Sequence, residues 1–263
     1  MTSSARVPLA GTAAPTGPRS APRTARERAR ADIMAELMSS ARVRVATDGA
    51  ANLSLRAVAR DLGVASSAVY RYVDSRDALL TLLIVDAYDT VGRVAEEAAA
   101  RAHAAQASDA QTWLDVARAV RAWALENRHA YALIYGTPVP GYLAPQDTVA
   151  PAVRLWGVMI QIVQSAYAHG TLRPTGPEFD PAGRMTAEAY AVGGVLDPGA
   201  APDELAQLVS RLPTLFSSLI GAISVELFGH LHRVGDDLAA LFDVTIATAA
   251  AGVGLHVDLT SGA

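Results

Sequence analysis

From residue 33 to residue 45 apolar side chains return every four positions: Ile33, Leu37, Ala41 and Val45, with Met34 and Met38 widening the stripe. That period is one face of a helix. It predicts a first helix over residues 24–47, stopped by Asp48-Gly49. Two shorter amphipathic segments follow, 55–62 and 67–73, separated by Gly63-Val64-Ala65. Val58, Leu62, Val64, Val69 and Val73 give them a common apolar underside, and Ala59 is small enough for a close helix crossing. Gly63 sits where the first segment ends, and glycine accepts the left-handed backbone needed there. Ser54 is placed to N-cap the first segment and Ser66 the second. Two short helices around a tight glycine turn make a helix-turn-helix.

Ser75 then caps a long helix with Asp77 in its first turn, and Leu80, Leu83, Ile84, Ala87, Tyr88, Val91, Ala95 and Ala98 hold the helical period to about residue 105. Gly92 is its weak point. Beyond residue 108 the helices become more apolar: 109–135, 148–169, 202–232 with a break expected at Pro213, and 235–252. Loops are expected over 136–151, 173–183 and 197–203, with a weakly helical patch up to 195. The predicted fold class is all-α. Residues 25–75 form a three-helix domain, 76–107 a connecting helix, and 108–263 a larger helical domain.

The polar face of the second short helix carries Ser66, Ser67, Tyr70, Arg71 and Tyr72, with no acid before Asp74. Serine and arginine reach base edges in a major groove, and tyrosine hydroxyls reach phosphates. The alternative is a core hairpin with its tyrosines packed and Arg71 merely solvated. Directly after this helix the run from Tyr70 to Leu80 reads aromatic pair, apolar residue, short turn, basic residue, leucine-rich helix start. In this it resembles the TetR-type transcriptional repressors over about residues 25–98. Arg76 stands where that family more often has lysine, and Val73 where phenylalanine is commoner. The resemblance implies a DNA-contacting set of Ser54, Arg56, Ser66, Ser67, Ala68, Tyr70, Arg71, Tyr72 and Arg76. It also implies that the last two helices pair with those of a second copy. An ordinary intrachain core is the alternative use of their apolar faces.

Charge agrees with the polyanion reading. The net charge of −4 is split: residues 1–78 hold 12 Arg against 7 acids, and residues 79–263 hold 10 Arg against 19. A basic amino-terminal third fits an end that meets nucleic acid. Residues 1–24, rich in Pro, Ala, Ser, Thr and Gly, read as a disordered arm with no signal-peptide apolar run. Its arginines, with Arg26, Arg28 and Arg30, suit either DNA or solvent. With no cysteine, disulfides and cysteine-held metals are out. No stretch reads as a membrane span, because the apolar runs are too polar or too short. A cytoplasmic location is expected.

Catalytic patterns are missing from the sequence: no phosphate loop, no dinucleotide fingerprint, no Ser/His/Asp order. Glu226, His230 and His232 lie close together, but metal sites need more ligands and a supporting shell, so a structural role is expected. No cofactor is expected. The larger domain's Trp113, Trp123, Tyr131, Trp156, Met159, Gln161, Gln164, Tyr167 and His169 suggest a cavity with apolar walls and a few polar groups. Core packing is the alternative for each. The favoured reading is a homodimeric regulator binding double-stranded operator DNA and released by a mainly apolar small-molecule effector. The runner-up is a helical sensor protein whose helix-turn-helix packs on a protein partner.

Overall fold

The computed structural model describes residues 25–180, 185–186 and 203–260. The expected arm over 1–24, the patch up to 195 and nearly all of the 197–203 loop lie outside the described residues. Among those described there are helices and turns and no strand: α1 Ala25–Asp48, α2 Leu55–Asp61, α3 Ser66–Val69, α4 Arg76–Ala104, α5 Asp109–Glu126, α6 Arg128–Tyr135, α7 Val149–Ala152, α8 Arg154–Ala168, α9 Asp203–Leu227 and α10 Leu238–Val253.

Two apolar clusters organise them. The stripe of α1 (Leu37, Ala41, Val45) packs on Leu55, Val58, Ala59, Val69 and Val73, and α4 closes the same cluster with Leu79, Leu80, Leu83 and Ile84. This is the head. The larger cluster holds Val91, Ala95 and Ala98 from the later turns of α4 together with α5, α6, α8, α9 and α10. The long helix α4 therefore contributes to both cores. Ser75 caps it as expected, its hydroxyl accepting from Ala78 N–H at 3.0 Å.

Gly92 in α4 is a crossing point and not a weak one. A Cβ there would stand 2.8 Å from Cβ of Arg154, because the start of α8 lies across α4. Arg154 bonds Glu96 at 2.9 Å and Asp89 at 2.8 Å, tying the two helices together. In an ordinary helix interior Gly→Ala gains about 0.5–1 kcal/mol. Here Gly92→Ala should lower the thermal midpoint, the overpacking costing about 1–3 kcal/mol. A raised midpoint would mean that α8 can step back freely.

Several boundaries differ from expectation for local reasons. The helix expected over 109–135 is broken at Asn127 (φ −118°, ψ 48°). Its side-chain N–H donates to the Trp123 carbonyl at 2.9 Å, sharing that acceptor with the last backbone bond of the helix at 2.8 Å. That is the competition with the helix ladder at which asparagine is good. The helix expected over 148–169 is split at Val153 into α7 and α8. The expected break at Pro213 is absent: α9 runs through it. Leu212 and Leu215 on either side are buried, and their packing favours a continuous helix despite the missing N–H.

Two helical stretches, Gln146–Ala168 and Gln207–Leu227, are long and apolar enough to cross a membrane by length and composition. Their apolar faces are used inside the protein, through Leu155, Met159, Ile162 and Val163 of α8 and Leu212, Leu215, Leu219 and Ile223 of α9.

Candidate nucleic-acid interface and ligand site

The α2–α3 turn is built by backbone bonds. Val64 N–H donates to Ala59 O at 3.0 Å and Gly63 N–H to Arg60 O at 3.1 Å, the paired bonds of a Schellman motif, with Gly63 at φ +66°. The glycine was legible in sequence; the serine caps were not. Ser54 occupies the N-cap of α2 but its hydroxyl makes no cap bond, and the N-cap of α3 is Ala65, with Ser66 the first helical residue. α3 is also shorter than the expected 67–73, its last part relaxing into turns. Val64, expected underneath, is 44% exposed: the left-handed turn at Gly63 points it away from the core.

On the outer side of this turn Arg56, Arg60, Ser67, Tyr70 and Arg71 are exposed, while Ser54, Ser66 and Ala68 are half-buried. Arg60, an exposed cation on the same helix as Arg56, was missed in sequence, where helical spacing from Arg56 could have found it. Behind this face the head is braced. Arg44 bonds Asp61 at 2.8 Å and Ser40 bonds it at 2.9 Å, joining α1 to α2. Together they hold the Asp61 carboxyl at about 2, below the ordinary range. Arg76 donates to the carbonyls of Ala50 and Ala51 at 3.1 and 3.0 Å and pairs with Asp77. It fastens the 3-10 turn Ala50–Asn52 to the start of α4. Tyr72 is half-buried, with the Arg30 guanidinium 5.5 Å from its ring centroid.

In the body, the residues expected around a cavity divide into three groups. Trp113, Trp123, Tyr131 and Met159 are buried core, and the Tyr131 hydroxyl is occupied, donating to Ile220 O at 2.8 Å and bonding Ser224. Gln161 and His169 are exposed, and His169 bonds Asp109 at 3.1 Å. Trp156, Gln164 and Tyr167 are half-buried. Trp156 stacks on Phe216 at 4.6 Å; Phe216 meets Tyr135 edge-on, and Tyr135 touches Tyr131 and Tyr88. This run of rings joins α4, α6, α8 and α9. Burial pushes the Tyr135 phenol above its ordinary value, with Tyr88 and Tyr131 adding to the shift. Tyr88, Tyr135 and Phe216 were missed in sequence because they sit on three different helices and meet only once those helices pack. Three clefts lie away from this run of rings, and of the nine residues expected around a cavity His169 lines the third of them. One of about 290 Å³ lies between α1 and α6 around Val45, Leu83 and Leu133, one of about 480 Å³ lies beside it, and one of about 340 Å³ lies near His103 and His256. Among the described residues no cluster of His, Cys, Asp or Glu could hold a metal ion. Glu226, one turn before His230 in the chain, pairs instead with Arg121.

A braced helix-turn-helix head, carried on a long helix shared with an all-helical body, defines the class of helix-turn-helix transcriptional regulators. Comparison with known proteins places the chain within it. The family model described as Tetracyclin repressor-like, C-terminal domain, matches residues 113–249. The HTH-type transcriptional regulator Rv1816 of Mycobacterium tuberculosis (strain ATCC 25618 / H37Rv) is 41% identical over 211 residues, 74% of this chain and 80% of that one. The crystal structure of the regulatory protein SCO4313 is 34% identical, with a TM-score of 0.63 over 86% of this chain and 98% of that one. A tetR-family regulatory protein from Rhodococcus RHA1, 15% identical, shares the fold with a TM-score of 0.56 over 85% and 97% of the two chains. The chain belongs to the TetR family of transcriptional regulators.

Proposed function

We propose that this regulator is a repressor that binds an inverted-repeat operator as a homodimer and is released by a mainly apolar small molecule. The observation that carries the DNA contact is the outer face of the head. Arg56, Arg60, Ser67, Tyr70 and Arg71 are all exposed along α2, α3 and the turn after it, around a connection fixed by backbone bonds. Ser54, Ser66 and Ala68 border this face. Arg76 and Tyr72 serve it from behind, by holding the loop and the first helix. For the dimer, support comes from the outer surface of α9 and α10. Val244 is 53% exposed there, and a Cβ at Gly221 would meet no atom within 4 Å, leaving room for a neighbouring helix. For the effector, the ring cluster of Trp156, Phe216, Tyr135 and Tyr88 supports entry between α4, α6, α8 and α9, with Tyr131 as its floor. A ligand parting those helices acts on α4, which also closes the head core, and it shifts the balance only by binding one placement better than the other.

The test is selection of duplexes from a random-sequence pool by the full chain, then footprinting and sedimentation. An enriched inverted repeat bound by two chains, its half-sites about one turn or ~34–36 Å apart or a multiple of it, is the expected result. Enrichment of no DNA would overturn the reading. On the selected duplex, Arg71→Ala should cost roughly 1–3 kcal/mol and relax preference at one base position. Equal loss on every sequence would make Arg71 a phosphate contact.

A further inference from the structure

The first turns of α1 differ from the rest of it. Residues 25–33 are all exposed, and full burial begins only at Leu37. Yet the stripe that buries the helix further on, Val45, Ala41 and Leu37, continues upstream at helical spacing through Ile33 and Arg30 to Arg26. The face that α1 turns toward the head thus changes from aliphatic to arginine where the head ends. Asp32 lies off this face, about a third of a turn or more from both arginines, while Glu27 borders it about one-sixth of a turn from Arg30 at 3.6 residues per turn.

Where this face leads is fixed by one contact. The Arg30 guanidinium stands 5.5 Å from the ring centroid of Tyr72, and Tyr72 belongs to the turn that directly follows α3, next to exposed Tyr70 and Arg71. The projecting turns therefore run beside the recognition segment. So short an exposed helical stretch has little stability of its own, and a cation–π pair of this kind helps to hold its direction.

We infer that the Arg26–Arg30 face of α1 is a second DNA contact, gripping the sugar–phosphate backbone beside the groove that α3 enters. This rests on the reading of the head as DNA-binding. A protein partner or a second copy packing here would be served by continued aliphatic residues. Guanidinium groups in their place suit phosphate, which accepts paired N–H donors. The contact adds affinity and fixes orientation, and leaves sequence preference to α3.

The probe is a duplex selected from a random pool by the wild-type full chain, its affinity measured across a salt series. Arg26→Gln with Arg30→Gln should make the slope of log affinity against log salt shallower by about 2, near 0.9 for each phosphate no longer neutralised, with roughly tenfold weaker binding at fixed salt. Base preference and thermal midpoint should stay as in wild type. A control pair on the body, Arg93→Gln with Arg101→Gln, removes the same charge away from the head and should leave the slope nearly unchanged. A wild-type slope in the Arg26/Arg30 variant, or one equal to that of the control pair, overturns the inference. Failure of the wild-type chain to select any duplex is a different result, which overturns the DNA-binding reading and this contact with it.

Discussion

Replacing Leu37 with alanine should destabilise the head by about 2–5 kcal/mol, the range for a leucine deleted from a packed interior. Leu37 is fully buried at the centre of the stripe that holds α1 against α2, α3 and α4. The cluster it belongs to includes Val58, Ala59, Leu79 and Leu80, all buried, with Met34 and Met38 partly buried against it. A domain is typically stable by only ~5–15 kcal/mol, so a loss of this size is a large share of it. The measurement has a built-in division. Trp113, Trp123 and Trp156 all lie in the body, so tryptophan fluorescence follows the body while far-ultraviolet circular dichroism follows every helix. Under denaturant the variant should lose part of its helical signal before its fluorescence changes. Coincident shifts of both probes would mean that α4 couples head and body into one cooperative unit. No shift in either would refute the packing argument.

Arg121→Ala should be the most damaging polar substitution. Arg121 on α5 meets Glu226 near the end of α9 in a two-pronged pair, one prong 2.7 Å long, with side chains only 19% and 9% exposed. The same guanidinium lies over Phe242 of α10 at 5.4 Å, so three helices converge on it. Taking two charges out of water is costly, and their attraction recovers that cost only while both are present. Truncating one leaves the other buried alone, with a loss of about 3 kcal/mol or more. The sharper test is the double replacement, Arg121→Met with Glu226→Leu. It should restore most or all of that stability, because a hydrophobic pair of similar volume avoids the desolvation. A double variant no more stable than Arg121→Ala would mean that the guanidinium matters mainly through Phe242 and the shape of the site.

Much of the head was legible in the chain because its signals are local. A four-residue stripe, a glycine at the turn and a serine before an acidic first turn each act within a few residues of themselves. Leu37, Ala41 and Val45, Gly63, and Ser75 stand where those signals put them. The signals that misled were local too, but competed with something distant or unseen. Ser54 and Ser66 look like caps, yet the Ser54 hydroxyl makes no cap bond and Ser66 already lies inside α3, behind Ala65. Pro213 should break a helix, yet α9 continues through it with buried leucines on either side. Asn127 breaks one that periodicity would have continued.

In the body less could be read. The apolar period specifies that helices are buried and leaves open which faces meet, so the expected ligand wall took in Trp113, Trp123 and Met159 and passed over Tyr135 and Phe216. Packing sorted them: Trp113 and Met159 into the core, Gln161 and His169 to the surface, and Trp156 onto Phe216.

By itself the sequence determined the all-helical class, the helix-turn-helix and its basic surroundings, since spacing, turn chemistry and charge are properties of neighbouring residues. Only the tertiary structure decided that Gly92 is a helix crossing, that Glu226 belongs to Arg121, that Arg76 holds a loop, and that Arg30 lies against Tyr72. Each of those depends on residues at least 42 positions apart, apart from Arg76 at 25 and 26 from its carbonyl partners. Pairing over such distances is set by how helices pack, which no local pattern encodes.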